Sequence, residues 1–495
     1  MSGAIARNYV NGQWTDPVDP KLIDIENPST GEVIGKVPLS TATEADCAID
    51  AAHKAFKGWK DTPVARRVAP LYKLAALLRS NEEKIARVLA KEMGKSLPDA
   101  HAEMKRVFEN IEVACGMPVL QQGDKLIGSS FGIDGEVLNL PVGVFAVIPP
   151  FNFPAMVPFW FLPYAIATGN TFVIKPPEQV PLTMQLMTEY IDQIGLPPGV
   201  FNLVNGDKVV ADAIMENGKV KGVSFVGSTR VARIVARKCV ETNKRFQAMG
   251  GAKNHLVVMP DTKVDDVIRN MVTSCYGCAG QRCMASSAIV AVGDRMYETI
   301  CARFIEESKK VIVADPFDPK VADEPMVMGP VISAKAKQFV LGMIETGVKE
   351  GATLALDGRE RIVPGCEKGH FVGPTIFVDV KPGMEIHKTE IFGPVVVVLK
   401  AETLDEAIRI INDHEYGNGA SIYTQNGYWA RKFKLEAQAG MIGVNIGIPA
   451  PVGYLPFGGF KDSQMSAIKA QGKAIIDFYT ENKVITERYW PEDQF

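Results

Sequence analysis

Between Gly277 and Cys283 the chain reads Gly-Cys-Ala-Gly-Gln-Arg-Cys. A cysteine thiolate is a strong nucleophile toward carbonyl carbon, and an adjacent guanidinium favours the thiolate electrostatically. Cys283, with Arg282 beside it, is therefore a candidate nucleophile, and the small residues ahead of it let backbone approach a substrate closely. A cysteine taken alone is more often a small core residue. Cys275 and Cys278 add a Cys-x-x-Cys spacing, which suits a redox disulfide or half a zinc site. Neither Cys301, Cys366 nor the six histidines supply a second pair at ligand spacing. Packing is the expected role of Cys275 and Cys278, and no metal is expected.

Other polar positions carry weaker signals. Asn152 precedes a run beginning at Phe153 and reads as a turn residue or helix cap. Gly227-Ser228-Thr229-x-x-Ala232 follows an apolar run and opens a helical one, so its backbone N–H groups and the helix dipole can hold a pyrophosphate. It lacks the Gly-x-Gly-x-x-Gly spacing, and an ordinary strand-to-helix turn is the alternative. Lys175 and Glu178 follow the apolar run Thr171–Ile174, where a solvated loop would also place them. Arg106 lies in the helical stretch Glu103 to Val113, where an arginine usually faces solvent.

These groups need a scaffold. Thr41-x-x-Glu44 reads as a capping box, followed by Ala45, Ala48, Ile49, Ala52 and Phe56 at helical spacing, with Gly58 as the stop. A second helix is expected over Val64–Leu78, and Ser80-x-x-Glu83 should cap a third that ends at Gly94. Short apolar runs then follow at Val142–Ile148, Thr171–Ile174, Val200–Val204 and Val223–Val226, separated by helix-length segments. Parallel strands covered by helices on both faces look like this. A second series, Leu256–Met259, Ala288–Val292, Thr375–Val380, Val395–Leu399 and Ser421–Tyr423, has helices near Met296–Lys309 and Thr403–Asn412. The alternation predicts two doubly wound α/β domains with a boundary near Gly250–Gly251. Ser129–Leu140, with turn residues Gly132, Asp134 and Gly135, predicts a protruding hairpin.

At 495 residues the chain can bury large cores, and 46% hydrophobic with 22% charged residues is ordinary globular composition. A net charge of −3 gives no reason to expect a nucleic-acid or anionic-membrane partner. No apolar run is long enough to span a bilayer, and Met1–Val10 lacks a signal-peptide pattern. The eight scattered cysteines suit a reducing compartment, the cytoplasm or an organelle matrix after loss of a transit peptide.

Four segments together resemble the aldehyde dehydrogenase superfamily. Gly280-Gln281-Arg282-Cys283 is similar to its active-site signature, Pro150-Phe151-Asn152-Phe153-Pro154 to its oxyanion-hole loop, Phe225-Val226-Gly227-Ser228-Thr229 to its cofactor turn, and Glu390-Ile391-Phe392-Gly393-Pro394 to its nicotinamide-ribose segment. Gly251-Ala252-Lys253-Asn254-His255 with Gly-Gln-Arg-Cys-Met-Ala most resembles the methylmalonate-semialdehyde branch, which is CoA-acylating. The resemblance implies the superfamily's α/β fold with a small β oligomerisation arm. It implies an NAD-binding domain of residues 1–122 and 141–249, a catalytic domain of 250–460, and an arm and C-terminal segment of 123–140 and 461–495. Strand pairing through the arm and Val484–Trp490 would give a homodimer or dimer of dimers.

The same resemblance assigns roles. Cys283 would attack the aldehyde, and the Asn152 amide with the Cys283 N–H would hold the oxyanion. Pro149, Phe151, Lys175, Glu178, Gln179, Gly227, Ser228 and Glu390 would bind the dinucleotide. A carboxylate at Glu178 on the ribose hydroxyls favours NAD over NADP. Arg106 and Arg282 would grip a semialdehyde's carboxylate. Hydrolytic members place a water-activating glutamate where alignment on Gly251-Ala252-Lys253 puts Met249. Methionine is no base, so coenzyme A is the expected acyl acceptor, unless a base comes from elsewhere or the register differs by one. The expected reaction is oxidation of malonate or methylmalonate semialdehyde, with loss of CO₂, to acetyl-CoA or propionyl-CoA. The rival readings are a hydrolytic NAD-dependent enzyme that releases free acid, a non-catalytic homologue, and a zinc or disulfide-exchange protein.

Overall fold

The computed structural model describes residues 5–16, 21–321, 324 and 326–490. The outermost parts of the expected domain bounds, residues 1–4 and 491–495, lie outside the described residues, as do 17–20, 322, 323 and 325. Two seven-stranded sheets organise the chain. In the first, Arg245–Met249, Val220–Val226, Val144–Ile148, Thr171–Ile174 and Phe201–Leu203 lie side by side and parallel. An antiparallel N-terminal hairpin, Asn8–Val10 with Gln13–Thr15, extends its edge. The second runs Thr353–Leu356, Thr375–Val378, Val395–Ala401, Ala288–Val292, His255–Val258, Gly419–Tyr423 and Met441–Val444, parallel except for its first strand.

The central strands are buried throughout their length, as in Val144–Ile148 and Ala288–Val292. Helices on both faces leave no polar side, which is why these strands read as continuous apolar runs. The strand Arg245–Met249 escapes that reading because its sequence, Arg-Phe-Gln-Ala-Met, is mixed. Its Gln247 is buried, accepting from Ser224 Oγ at 3.0 Å and donating to Lys469 O at 2.9 Å.

The Thr41–Glu44 capping box forms as expected. Two helix boundaries differ. The first helix passes through Gly58 to Trp59, whose indole is buried and donates to Ile166 O at 3.1 Å. Ser80 closes the second helix, so Asn81 stands at the start of Glu82–Met93. The Asn81 side chain turns back to Leu77 O at 2.8 Å and caps nothing.

The hairpin forms from Lys125–Ser130 and Ile133–Pro141. Thr480–Arg488 pairs antiparallel with its second strand to complete a three-stranded arm within one chain. Just before that strand, Ile475, Ile476, Phe478 and Tyr479 enter the same apolar core as Phe145 of the first sheet. The C-terminal segment is thus partly core and partly arm. Among the described residues no helix is long and apolar enough to cross a membrane.

Candidate active site

The helix Val264–Tyr276 ends in a tight turn whose next three residues with positive φ are Cys278 (51°), Ala279 (53°) and Gly280 (72°). Non-glycine residues in this region store strain, and they persist only where surroundings over-determine them. Here they do. A side chain on Gly277 would collide with the Arg282 guanidinium, and one on Gly280 with Gly393 O. Gln281, fully buried, accepts from Ile332 N at 2.9 Å and donates to Pro330 O and Cys278 O. Cys283 O accepts from Asn254 Nδ2 and Asn418 Nδ2, both at 2.9 Å. Cys283 is therefore presented by a rigid loop that is fixed from three sides.

Asn152 meets that loop. Its Nδ2 donates to Gln281 O at 2.9 Å, which engages one of the two amide hydrogens. The other hydrogen has no partner among the described residues, so it remains a donor beside the Cys283 loop. Cys283 packs on the cluster that contains Met249, Met284 and Val226. Burial pushes the Cys283 thiol up to about 12. Glu390 pushes the same way, and the N–H groups of Cys283 and Met284 oppose it together with Arg282.

The two arginines expected to meet a substrate carboxylate are both already paired. Arg106 Nη1 donates to both Glu109 oxygens at 2.7 Å, and Glu109 also accepts from Gly453 N at 2.9 Å. Arg282 Nη2 lies 2.5 Å from Asp99 Oδ1, and its Nε lies 3.4 Å from Cys278 Sγ. Burial opposes the Asp99 charge, but Arg282 and then Lys95 hold its carboxyl below the usual carboxylate range. Asp99, Arg106 and Glu109 all belong to the helix Leu97–Cys115. Cys278 is thus part of an ionic cluster, and Cys275 donates to Ser286 O at 2.8 Å.

The dinucleotide candidates share one edge. Val220–Val226, Val144–Ile148 and Thr171–Ile174 are adjacent and parallel, so Gly227, Pro149 and Lys175 follow their C-terminal ends side by side. That is where a doubly wound sheet binds ligands. The N–H groups of Ser228, Thr229 and Arg230, at the start of Thr229–Glu241, make no hydrogen bond among the described residues. Such free donors fit a diphosphate. Lys175 is buried and donates to Gly206 O at 2.6 Å, Pro176 O at 2.9 Å and Glu178 at 3.2 Å, while Gln179 is exposed. The Phe151 ring meets Phe392 edge-on, with centroids 5.8 Å apart, joining the Pro150–Pro154 loop to the Glu390 segment.

Glu390 folds back on the loop after Met249. It accepts from Ala252 N at 2.9 Å, and its other oxygen lies against Gly251. Thr229 Oγ1 accepts from Gly251 N at 2.8 Å, tying this loop to the turn after Val226. Burial raises the Glu390 carboxyl to about 7, with Ala252 N–H and Lys253 pulling it back. Met249 itself ends its strand, is 3% exposed and offers only a thioether.

Several supporting residues are given no role by the sequence reading: Asn254, Asn418, Asp99, Lys95 and Glu103. Asn254 stood in a quoted motif without a role. The others carry no signal apart from their type, because their partners are distant in sequence.

The model of the Aldehyde dehydrogenase family matches residues 14–485. A malonate-semialdehyde dehydrogenase of Pseudomonas aeruginosa is 44% identical over 485 residues, 98% of this chain and 96% of that protein. The crystal structure of a methylmalonate-semialdehyde dehydrogenase of Oceanimonas doudoroffii superposes with a TM-score of 0.96 at 39% identity, covering 100% of both chains. A Sinorhizobium meliloti protein described as a methylmalonate-semialdehyde dehydrogenase, solved in complex with NAD, gives 0.96 at 38% identity, again over 100% of both chains.

Proposed function

The chain belongs to the aldehyde dehydrogenase family, and from that premise we propose that it is an NAD-dependent, CoA-acylating dehydrogenase of malonate or methylmalonate semialdehyde. The products are acetyl-CoA or propionyl-CoA with CO₂. The relatives named for these substrates support the assignment, and one observation carries the choice of acyl acceptor. The residue at the end of Arg245–Met249, packed in the same cluster as Cys283, is a methionine and cannot activate water.

In this reading Cys283 loses its proton and its sulfur bonds to the aldehyde carbon. The free Asn152 amide hydrogen and the Cys283 N–H stabilise the oxyanion that forms. A dinucleotide held by the free N–H groups after Val226, near Pro149, Phe151, Lys175, Glu178, Gln179, Gly227, Ser228 and Glu390, supplies the acceptor for the aldehyde's hydride. What remains is an acyl group in thioester linkage to Cys283. A carboxylate β to that carbonyl can leave as CO₂, because the thioester takes up the electron pair as an enolate, which is then protonated. The CoA thiolate then displaces Cys283, a reaction for which sulfur nucleophiles are well suited. Arg106 and Arg282 orient the carboxylate through the guanidinium nitrogens that Glu109 and Asp99 leave free.

The test is product analysis with malonate semialdehyde and NAD⁺, with and without CoA. Acetyl-CoA that forms only with CoA, and loss of NADH formation in Cys283→Ser, are the expected results. Free acid at a rate indifferent to CoA would establish the hydrolytic reading instead.

We assign residues 1–122 and 141–249 to an NAD-binding domain and 250–460 to a catalytic domain. The arm, with Leu126, Ile127, Phe131 and Val484 exposed, has open strand edges that another copy can cover, and we assign it to a homodimer or dimer of dimers. Light scattering on the intact protein measures this. The scattered cysteines support a cytoplasmic or organelle-matrix location.

A further inference from the structure

The loop that carries Asn152 has little to hold it. Pro149, Pro150 and Pro154 lack N–H donors, and its backbone contributes one bond beyond the neighbouring strand, Val157 N to Phe153 O at 3.3 Å. What does hold it is a pair of buried charges. Lys95 Nζ donates to Asn152 O and to Glu103 Oε2, both at 2.7 Å, and lies 4.4 Å from the centre of the Phe153 ring. The other Glu103 oxygen accepts from Ala155 N at 2.8 Å and Met156 N at 2.9 Å. Both side chains are 0% exposed.

Stability does not explain such a pair. A buried ion pair is generally no better than well-packed apolar residues of the same volume, because desolvation offsets the attraction. What it supplies is direction. The Lys95 bond fixes the Asn152 carbonyl, and Asn152 Nδ2 to Gln281 O fixes the side chain, so the free amide hydrogen has one orientation. The mount is itself rigid. Gly94, at φ 79°, sits where a side chain would strike Pro28 and Pro330 at 2.8 Å, and Pro330 O accepts from Gln281 of the nucleophile loop at 3.3 Å. Glu103 projects from the helix that also bears Asp99 and Arg106.

We infer that Lys95 and Glu103 are positioning residues that set the Asn152 amide toward the carbonyl oxygen attacked by Cys283. The inference rests on the oxyanion role proposed for Asn152. It assigns the pair no contact with substrate.

The test compares pre-steady-state NADH formation from propanal in the full-length enzyme across a mutant cycle. Asn152→Ala should slow the burst about 100- to 1,000-fold, the loss of one oxyanion donor. The double variant Lys95→Met, Glu103→Gln removes both charges together and keeps an acceptor for Ala155 N and Met156 N. It should bind NAD normally, leave KM nearly unchanged and slow the burst about 10- to 100-fold, as a misplaced donor does. Lys95→Gln, Glu103→Gln retains an N–H donor at position 95 and should recover part of that rate. The deciding result is the Asn152→Ala background, where neither pair should slow the burst further. Multiplicative losses there, or an unchanged burst in the double variants, would overturn the positioning role and leave Asn152 as the oxyanion donor. An unchanged burst in Asn152→Ala would overturn the oxyanion role itself, and with it the inference. If the methionine pair does not fold, the glutamine pair in the same cycle decides.

Discussion

The Arg282 guanidinium and the Asp99 carboxylate form a 2.5 Å ion pair that flanks Cys278 Sγ, with Cys283 immediately next along the chain. An arginine proposed to recognise substrate is thus also a structural member of the Cys283 loop. Removing it leaves the part-buried Asp99 without its partner. Arg282→Leu should therefore destabilise the protein by about 1–3 kcal/mol, between the values for exposed and fully buried pairs, and Asp99→Asn in the same chain should restore much of that. Thermal unfolding of the two variants reads this directly. Equal midpoints for the single and double variants would show that the pair is not structural.

Arg106 differs, because its partner Glu109 lies on the same helix and the arginine side chain is 31% exposed. Arg106→Leu should leave thermal stability nearly unchanged and raise KM for carboxylated semialdehydes far more than for propanal. Glu109→Gln, which keeps an acceptor for Gly453 N, frees the guanidinium and should lower KM for malonate semialdehyde. Parallel changes for charged and neutral aldehydes in both variants would remove Arg106 from substrate recognition.

Much of this site was legible in the sequence, for physical reasons. Strands such as Thr171–Ile174 and Ala288–Val292 are buried on both faces, so their composition alone betrays them. The Gly-Gln-Arg-Cys segment is conspicuous because its backbone is so crowded that few residue types fit. Lys95, Glu103 and Asp99 were invisible because a charged residue ordinarily faces water, and only the fold shows that Lys95 and Glu103 are fully buried and Asp99 partly so. The edge strand Arg245–Met249 was missed because Gln247 satisfies its polarity internally.

Burial holds the Cys283 thiol protonated in the free enzyme, with a pKa of about 12. Only the thiolate is alkylated, so the thiolate fraction, and the iodoacetamide rate at this position, should rise about tenfold per pH unit between pH 7 and 10. NAD⁺ brings a cationic ring toward the sulfur in the proposed site and should speed alkylation at fixed pH. Peptide mapping of the labelled protein measures both. A rate that levels off by about pH 9.5 would show a thiol of ordinary acidity.

Three buried histidines, His255, His387 and His414, face one another with ring centroids 5.1–5.3 Å apart, and His255 Nε2 lies 2.9 Å from His387 Nε2. Burial first, then mutual repulsion and Lys253, hold His255 well below its ordinary value and His387 at about 3. For His414, at about 4, burial and Lys253 act against a bond to His387 O. Above pH 6.5 the folded and unfolded chains bind the same number of protons at these sites. Below it the unfolded chain takes up protons that the folded one refuses, so stability falls as pH drops from about 6.5 toward 4, by up to about 1.4 kcal/mol per pH unit for each histidine. His387→Gln should flatten that slope in thermal melts between pH 7 and 5.

The choice of thiol over water as acyl acceptor rests on Met249, and the reverse substitution tests it. Met249→Glu introduces a carboxyl at the end of the strand, in the cluster against which Cys283 packs, where Met249 is 3% exposed. Burial should raise the new group's pKa toward neutrality, which suits a general base. The variant should release free acid from the acyl-enzyme without CoA, while the acylation burst stays within about tenfold of wild type, since a single general base contributes roughly 100- to 10,000-fold to its own step only. Chromatography of products with and without CoA measures the partition. A folded variant with an intact burst, no free acid and an undiminished need for CoA would mean that the acceptor is selected elsewhere, and the Glu390 carboxyl above Gly251 would be the next group to replace.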